Sequence, residues 1–161
     1  MGEEQFNEIK RVLDSLSVAY EVIEHEAVRT SEEAAAVRGT RLSQGVKAMV
    51  IRIKAGGKKV FLVAALPADR RVDLAKLAER LKGELKLARP EEILEVTGCE
   101  VGGVPPLGHG LPILFDSSIF AEPEVEFNAG LKTRSIKVSS EGLRKAFESI
   151  GAAEFDLASS S

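Results

Sequence analysis

Apolar residues recur along this chain at two spacings, and the switches between them divide it into elements. Phe6, Ile9, Val12, Leu13 and Leu16 fall at helical spacing, with Glu3 and Glu4 where the helix dipole favours acid, which predicts a helix over 3–16. Val18, Tyr20, Val22 and Ile23 nearly alternate and predict a strand over 18–24. Thr30-Ser31-Glu32-Glu33 is a capping-box pattern opening an alanine-rich helix that Gly39 ends. Residues 46–54 alternate, Ala55-Gly56-Gly57 turns the chain, and 58–66 are almost continuously apolar, so this stretch predicts a hairpin.

Asp73 caps a helix carrying Leu74, Leu77, Ala78 and Leu81 that stops at Gly83, and Pro90 opens a short helix through Val96. Further on, 112–116, 125–128 and 135–138 read as short strands, and Ser140 begins a helix with Leu143, Phe147 and Ile150. A last strand falls near 154–157. Helices and strands are interleaved, yet the hairpin demands antiparallel pairing. The expected fold is therefore α/β: a single domain over 1–158 with a mixed, largely antiparallel sheet flanked by helices, and a disordered serine tail over 159–161.

Size agrees with one core: 161 residues, 44% of them hydrophobic. No window approaches the roughly eighteen apolar residues of a membrane span, and the acidic start MGEEQFNEIK lacks a signal-peptide core. With one cysteine, Cys99, no internal disulfide can form, which fits a reducing cytoplasm. A net charge of −3 argues against a protein that coats nucleic acid, whose binding energy comes from lysine and arginine meeting phosphate. Basic patches remain: Lys54, Lys58 and Lys59 at the hairpin turn, Arg70 with Arg71, and Lys132, Arg134 and Lys137. Each is either a solvated face or a local grip.

The least ordinary segment is 98–110, with five glycines and two prolines in thirteen residues. Glycine permits left-handed dihedrals and close approach of a ligand; proline freezes φ and removes a donor, so such a loop is stiff and can present amides to a carbonyl or phosphate. An ordinary surface connection is the alternative. Neither the P-loop pattern nor a dinucleotide-binding fingerprint is present. Lys47, inside an apolar strand between Val46 and Ala48, either snorkels from a strand end or serves as a fixed positive charge beside a cavity. His25, His109 and Cys99 match no zinc spacing, and no G-x-S-x-G elbow supports a serine triad, so neither metal nor cofactor is expected. His109, beside the loop, either bonds a substrate or is an exposed loop residue.

Four segments in this order resemble the YbaK family, also called the prolyl-tRNA synthetase associated domain. They are His25 with Thr30-Ser31-Glu32-Glu33-Ala34-Ala35; Gly45-Val46-Lys47-Ala48-Met49-Val50; Val101-Gly102-Gly103-Val104-Pro105-Pro106-Leu107-Gly108; and Asn128-Ala129-Gly130 leading to Ser135-Ile136-Lys137-Val138. The resemblance implies hydrolysis of the ester joining an amino acid to the terminal adenosine of mischarged tRNA, chiefly alanine or cysteine on tRNA for proline. It implies that Lys47 anchors the aminoacyl group or the adjacent phosphate, and that amides among Gly102, Gly103, Val104, Pro105 and Pro106 hold the carbonyl. His25, Thr30, Met49, Leu107, Gly108, His109, Asn128, Ala129 and Gly130 would contact substrate. Some members carry a histidine in the segment matching 128–130; here Asn128 stands there, so a general-base histidine is not implied.

The expected partner is the tRNA acceptor end with its amino acid, with prolyl-tRNA synthetase as a further partner, no membrane, and an oligomeric state that the sequence leaves open. The competing class is a catalytically silent tRNA- or nucleotide-binding module on the same scaffold.

Overall fold

The computed structural model describes residues 1–28 and 30–160. Helix α1 (Glu3–Ser15) buries Phe6, Ile9, Val12 and Leu13, as their spacing predicts. Strand β1 (Tyr20–Glu24) follows. Helix α2 (Ser31–Arg38) starts with the hydroxyl half of the expected box: Thr30 Oγ1 accepts from the Glu33 amide at 3.1 Å. The hairpin is β2 (Val46–Ala55) and β3 (Lys58–Pro67), in register from Val46 opposite Pro67 to Ala55 opposite Lys58. Gly56 and Gly57 turn it with φ of 58° and 77°, a conformation that any side chain would strain.

Beyond the hairpin come β4 (Arg70–Val72), α3 (Leu74–Leu81), β5 (Glu84–Leu87), α4 (Pro90–Thr97), β6 (Ile113–Phe115), β7 (Glu124–Asn128), β8 (Arg134–Ser139), α5 (Ser140–Ser149), β9 (Ala153–Glu154) and β10 (Ala158–Ser160). A five-stranded sheet runs β5-β2-β3-β6-β9, a three-stranded sheet β1-β8-β7, and a two-stranded one β10-β4. Pairing is antiparallel except at β3–β6 and β6–β9. The mixed α/β architecture expected from the sequence is the one found.

Two elements had no local signal. Strands β4 and β5 are three and four residues long and carry Arg70, Arg71, Glu84 and Lys86, so only their distant partners make them strands. The end of the chain differs too. Residues 159–160, expected in a disordered tail, pair with β4, Ser159 opposite Arg71 and Ser160 opposite Arg70; Ser161 lies outside the described residues.

One core packs α1 and α5 against the three-stranded sheet through Ile9, Leu13, Phe127, Ile136, Leu143 and Phe147. A second packs α3 against the five-stranded sheet through Leu77, Ile51, Leu62 and Leu157. An isolated bridge between Gly45 and Glu126 ties the two sheets together just before β2. Among the described residues, no helix is long and apolar enough to cross a membrane.

Candidate active site

The start of β2 is an open sheet edge. Strand β5 pairs only with Ile51 to Lys54, and its last contact is the Ala88 amide donating to the Val50 carbonyl at 2.9 Å. Residues two apart in a strand direct their backbone groups to the same side. The amide and carbonyl of Ala48 therefore face the same way as those of Val50, and no described strand pairs with them. Beside this edge is a cavity of about 350 Å³, walled by Thr30 at the start of α2, by Ala34 and Arg38 of α2, by Ala88, Pro90 and Ile93 after β5, and by Val101, Gly102, Val104 and Asn128.

Lys47 and Met49 line it. Lys47 is half-buried, and its Nζ donates to the Ala68 carbonyl over 3.4 Å. No described carboxylate lies within ion-pair distance of it. Burial pushes its pKa below the usual lysine value; Glu32 opposes this, Arg71 adds to it and Asp69 opposes it again. An ammonium so placed attracts an ester carbonyl or a phosphate oxygen.

The glycine-proline loop is anchored rather than mobile. Pro105, Pro106 and Leu107 are buried, and Leu107 belongs to the first core. Gly102 adopts φ 91°, and its carbonyl accepts from Asn128 Nδ2 at 2.6 Å. The amide of that same peptide unit, on Gly103, donates to the Glu100 carbonyl at 2.8 Å. The Gly102-Gly103 peptide is thus held from both sides. Prolines have no amide hydrogen, so the remaining donors from Gly102 to Pro106 are Gly102 and Val104. Both line the cavity, and neither amide has an acceptor among the described residues.

Asn128 is oriented by a polar group beneath it. It ends β7 directly opposite Ser135 in β8. Ser135 Oγ lies 3.4 Å from Asn128 Oδ1, accepts from Arg38 Nη1 at 3.2 Å and lies 2.7 Å from His25 Nε2. His25 Nδ1 faces the Glu26 carbonyl at 2.8 Å, and a carbonyl only accepts, so Nδ1 carries a hydrogen and donates it there. Arg38 completes the group with an ion pair to Glu126 at 3.3 Å, its side chain 4% exposed and that of Glu126 3%.

The structure therefore brings together Lys47, Met49, Thr30, Gly102, Val104 and Asn128, with His25 two hydrogen bonds behind them, through Ser135. It separates the rest. Gly103 and Gly130 line a different hollow behind the loop, next to Lys132. Gly130 is a packing glycine, since a Cβ there would sit 2.5 Å from the Gly2 carbonyl oxygen. Ala129 and Leu107 are fully buried. Gly108 and His109 face a third hollow beside α1. His109 is 8% exposed, so it is not an exposed loop residue, and it lies outside the Lys47 cavity; its Nδ1 accepts from the Leu111 amide at 3.0 Å, and burial lowers its pKa to about 4.

Sequence reasoning missed Arg38, Ser135 and Glu126. A signal for Arg38 existed: it lies four residues after the buried Ala34, on the same helix face.

The aminoacyl-tRNA editing domain family matches residues 25–146, which span the cavity and every element that walls it. The chain belongs to this family. It is similar to the multifunctional Ser/Thr-tRNA deacylase ProXp-y of Escherichia coli K12, at 38% identity over 121 residues covering 73% of this chain and 72% of that one. It is also similar to the prolyl-tRNA editing protein ProX of Acetoanaerobium sticklandii, at 32% identity over 124 residues, 76% of this chain and 71% of the other. A solved structure of a proposed trans-editing enzyme for prolyl tRNA synthetase superposes with a TM-score of 0.78 at 29% identity, covering 96% of this chain and 97% of that one. Relatives in the editing family are named as deacylases, which are hydrolases, and the expected enzyme class stands at that level.

Proposed function

We propose that this editing domain hydrolyses the ester between a small amino acid and the terminal adenosine of mischarged tRNA, alanyl- or cysteinyl-tRNA(Pro) first among them, in the cytoplasm and in support of prolyl-tRNA synthetase. The observation that carries the reading is the shared cavity: Lys47, Gly102 and Val104, fifty-five residues and more apart in sequence, line one space, and the Gly102 and Val104 amides have no acceptor among the described residues. Lys47 holds the aminoacyl group or its neighbouring phosphate. Water adds to the ester carbon, and the oxygen that gains charge is held by the two amides. Collapse breaks the bond to the ribose oxygen, which takes a proton as tRNA leaves, and the free amino acid departs. A hydroxyl of the substrate ribose assists the water, so no protein nucleophile is needed. Asn128 acts by holding the Gly102 peptide and is a positioning residue.

A second substrate reading has a specific basis: ProXp-y is named for serine and threonine. One panel decides both. Purified protein is given tRNA charged with alanine, cysteine, serine or threonine, and amino-acid release is followed. Lys47→Ala is expected to lower kcat/KM by about a hundredfold or more on the preferred substrate, the usual loss for one transition-state contact, with an unchanged circular dichroism spectrum. A folded, fully active Lys47→Ala protein refutes the role of Lys47. Wild-type protein that binds tRNA but releases no amino acid above the uncatalysed rate establishes the silent binding module instead.

A further inference from the structure

The expected basic patches fare unevenly in three dimensions. Lys59 is engaged by Glu92 at 3.3 Å, Lys132 by Glu100 at 2.8 Å, Lys137 by Glu124 at 3.4 Å, and Arg134 by Glu3 and Glu24. Lys54, seven residues along β2 from Lys47, is about 23 Å away at about 3.3 Å per residue, and Lys58 lies beyond it across the turn. Arg70 and Arg71 are different. Both are exposed and neither has an ion-pair partner among the described residues. They lie two and three residues past Ala68, which lines the cavity and accepts from Lys47, so their Cα atoms are within about 7 and 11 Å of it.

We infer that Arg70 and Arg71 form the phosphate grip that holds the single-stranded acceptor end of tRNA as its aminoacyl ester enters the Lys47 cavity. This rests on the editing reading above and adds the surface that separates a tRNA from a bare aminoacyl nucleoside. Strand β4 positions the two side chains, and β10 braces it along its length, Ser159 opposite Arg71 and Ser160 opposite Arg70. This pairing, pinned by the end of the chain, holds the backbone of both arginines within two and three residues of Ala68 at the cavity edge. The charges acting on Lys47 show why the pair matters: among the described residues Glu32 and Asp69 are negative and Arg71 is positive. The arginines therefore offset acid that repels a phosphate chain. Guanidinium also matches phosphate oxygens in a fork that ammonium does not reproduce.

The test compares two substrates. Arg70→Ala/Arg71→Ala, Arg70→Lys/Arg71→Lys and wild type are assayed on the preferred aminoacyl-tRNA and on the matching 3′-O-aminoacyl-adenosine, which lacks the phosphates. For the alanine pair, KM on aminoacyl-tRNA is expected to rise roughly tenfold, with kcat little changed. The slope of log affinity for uncharged tRNA against log salt should fall by about 1.4, at about 0.7 per single-strand phosphate. The penalty should be confined to the phosphate-bearing substrate, and the lysine pair should recover part of the loss. Lys54→Ala/Lys58→Ala, at the far end of the hairpin, should behave as wild type.

An equal loss on both substrates, or an unchanged KM and salt slope on tRNA, overturns the assignment. If wild type cleaves neither substrate, the hydrolytic reading fails by itself, and the salt slope of uncharged tRNA binding still decides the arginines.

Discussion

Replacing Arg38 with methionine removes one member of a buried ion pair and leaves the other behind. The side chains of Arg38 and Glu126 are 4% and 3% exposed, and 3.3 Å separates their nearest charged atoms. Burial pushes the Arg38 pKa down while Glu126 pulls it back up, and a guanidinium stays charged at any ordinary pH. Methionine keeps the volume but strands the Glu126 carboxylate in a place that water does not reach. Stranding one partner of such a pair costs about 3–5 kcal/mol. For a domain of this size, about 2–4 °C per kcal/mol predicts a melting temperature lower by roughly 10 °C.

Equilibrium urea unfolding, followed by circular dichroism, measures the loss directly. Arg38→Met/Glu126→Leu removes both charges and should recover most of the stability, because apolar residues of similar volume pack as well as the pair. The double-mutant cycle then gives a large coupling between the two sites. The pair also supports the site, since Arg38 Nη1 donates to Ser135 Oγ beneath Asn128. The stability-restored double variant should therefore still deacylate more slowly than wild type. An Arg38→Met protein within about 1 kcal/mol of wild type would refute the reasoning, since that is the range of an exposed pair.

Two further outcomes follow from the same geometry. Asn128→Ala loses the donor to the Gly102 carbonyl, and one hydrogen bond of ordinary net strength predicts a kcat roughly three- to tenfold lower with KM little moved; a kcat equal to wild type in steady-state deacylation would show that the loop holds itself. His109 is buried neutral, with its pKa lowered from 6.5 to about 4. Between those values the unfolded chain binds a proton that the folded one does not, so stability is full above pH 6.5 and is lost as pH falls toward 4, by about 3 kcal/mol. His109→Gln should flatten that pH dependence in urea unfolding, and a His109 ring that titrates above pH 6 by NMR would overturn the assignment.

Much of the molecule is written locally. The helix over 3–15, the capped starts at Thr30 and Asp73, and the Gly56-Gly57 hairpin each arise from periodicity and turn chemistry within a few residues, and the structure contains all of them. The loop over 102–108 and Lys47 were visible as departures from pattern: glycine and proline where a simple connection needs neither, and a charge in an apolar strand. Local sequence could not show which loop residues face the substrate. Val104 lines the cavity while its neighbour Gly103 lines another hollow, because Asn128, from distant β7, holds the Gly102 carbonyl while the Gly103 amide turns back onto Glu100. Tertiary packing likewise decided His109, placed against α1 rather than in the Lys47 cavity, and Arg38 of α2, whose partner Glu126 is supplied by β7. It also made strands of β4 and β10, each too short and polar to signal itself. Periodicity encodes which face of an element is buried; the neighbour that buries it, and the direction in which a polar group then points, depend on contacts between residues a hundred positions apart.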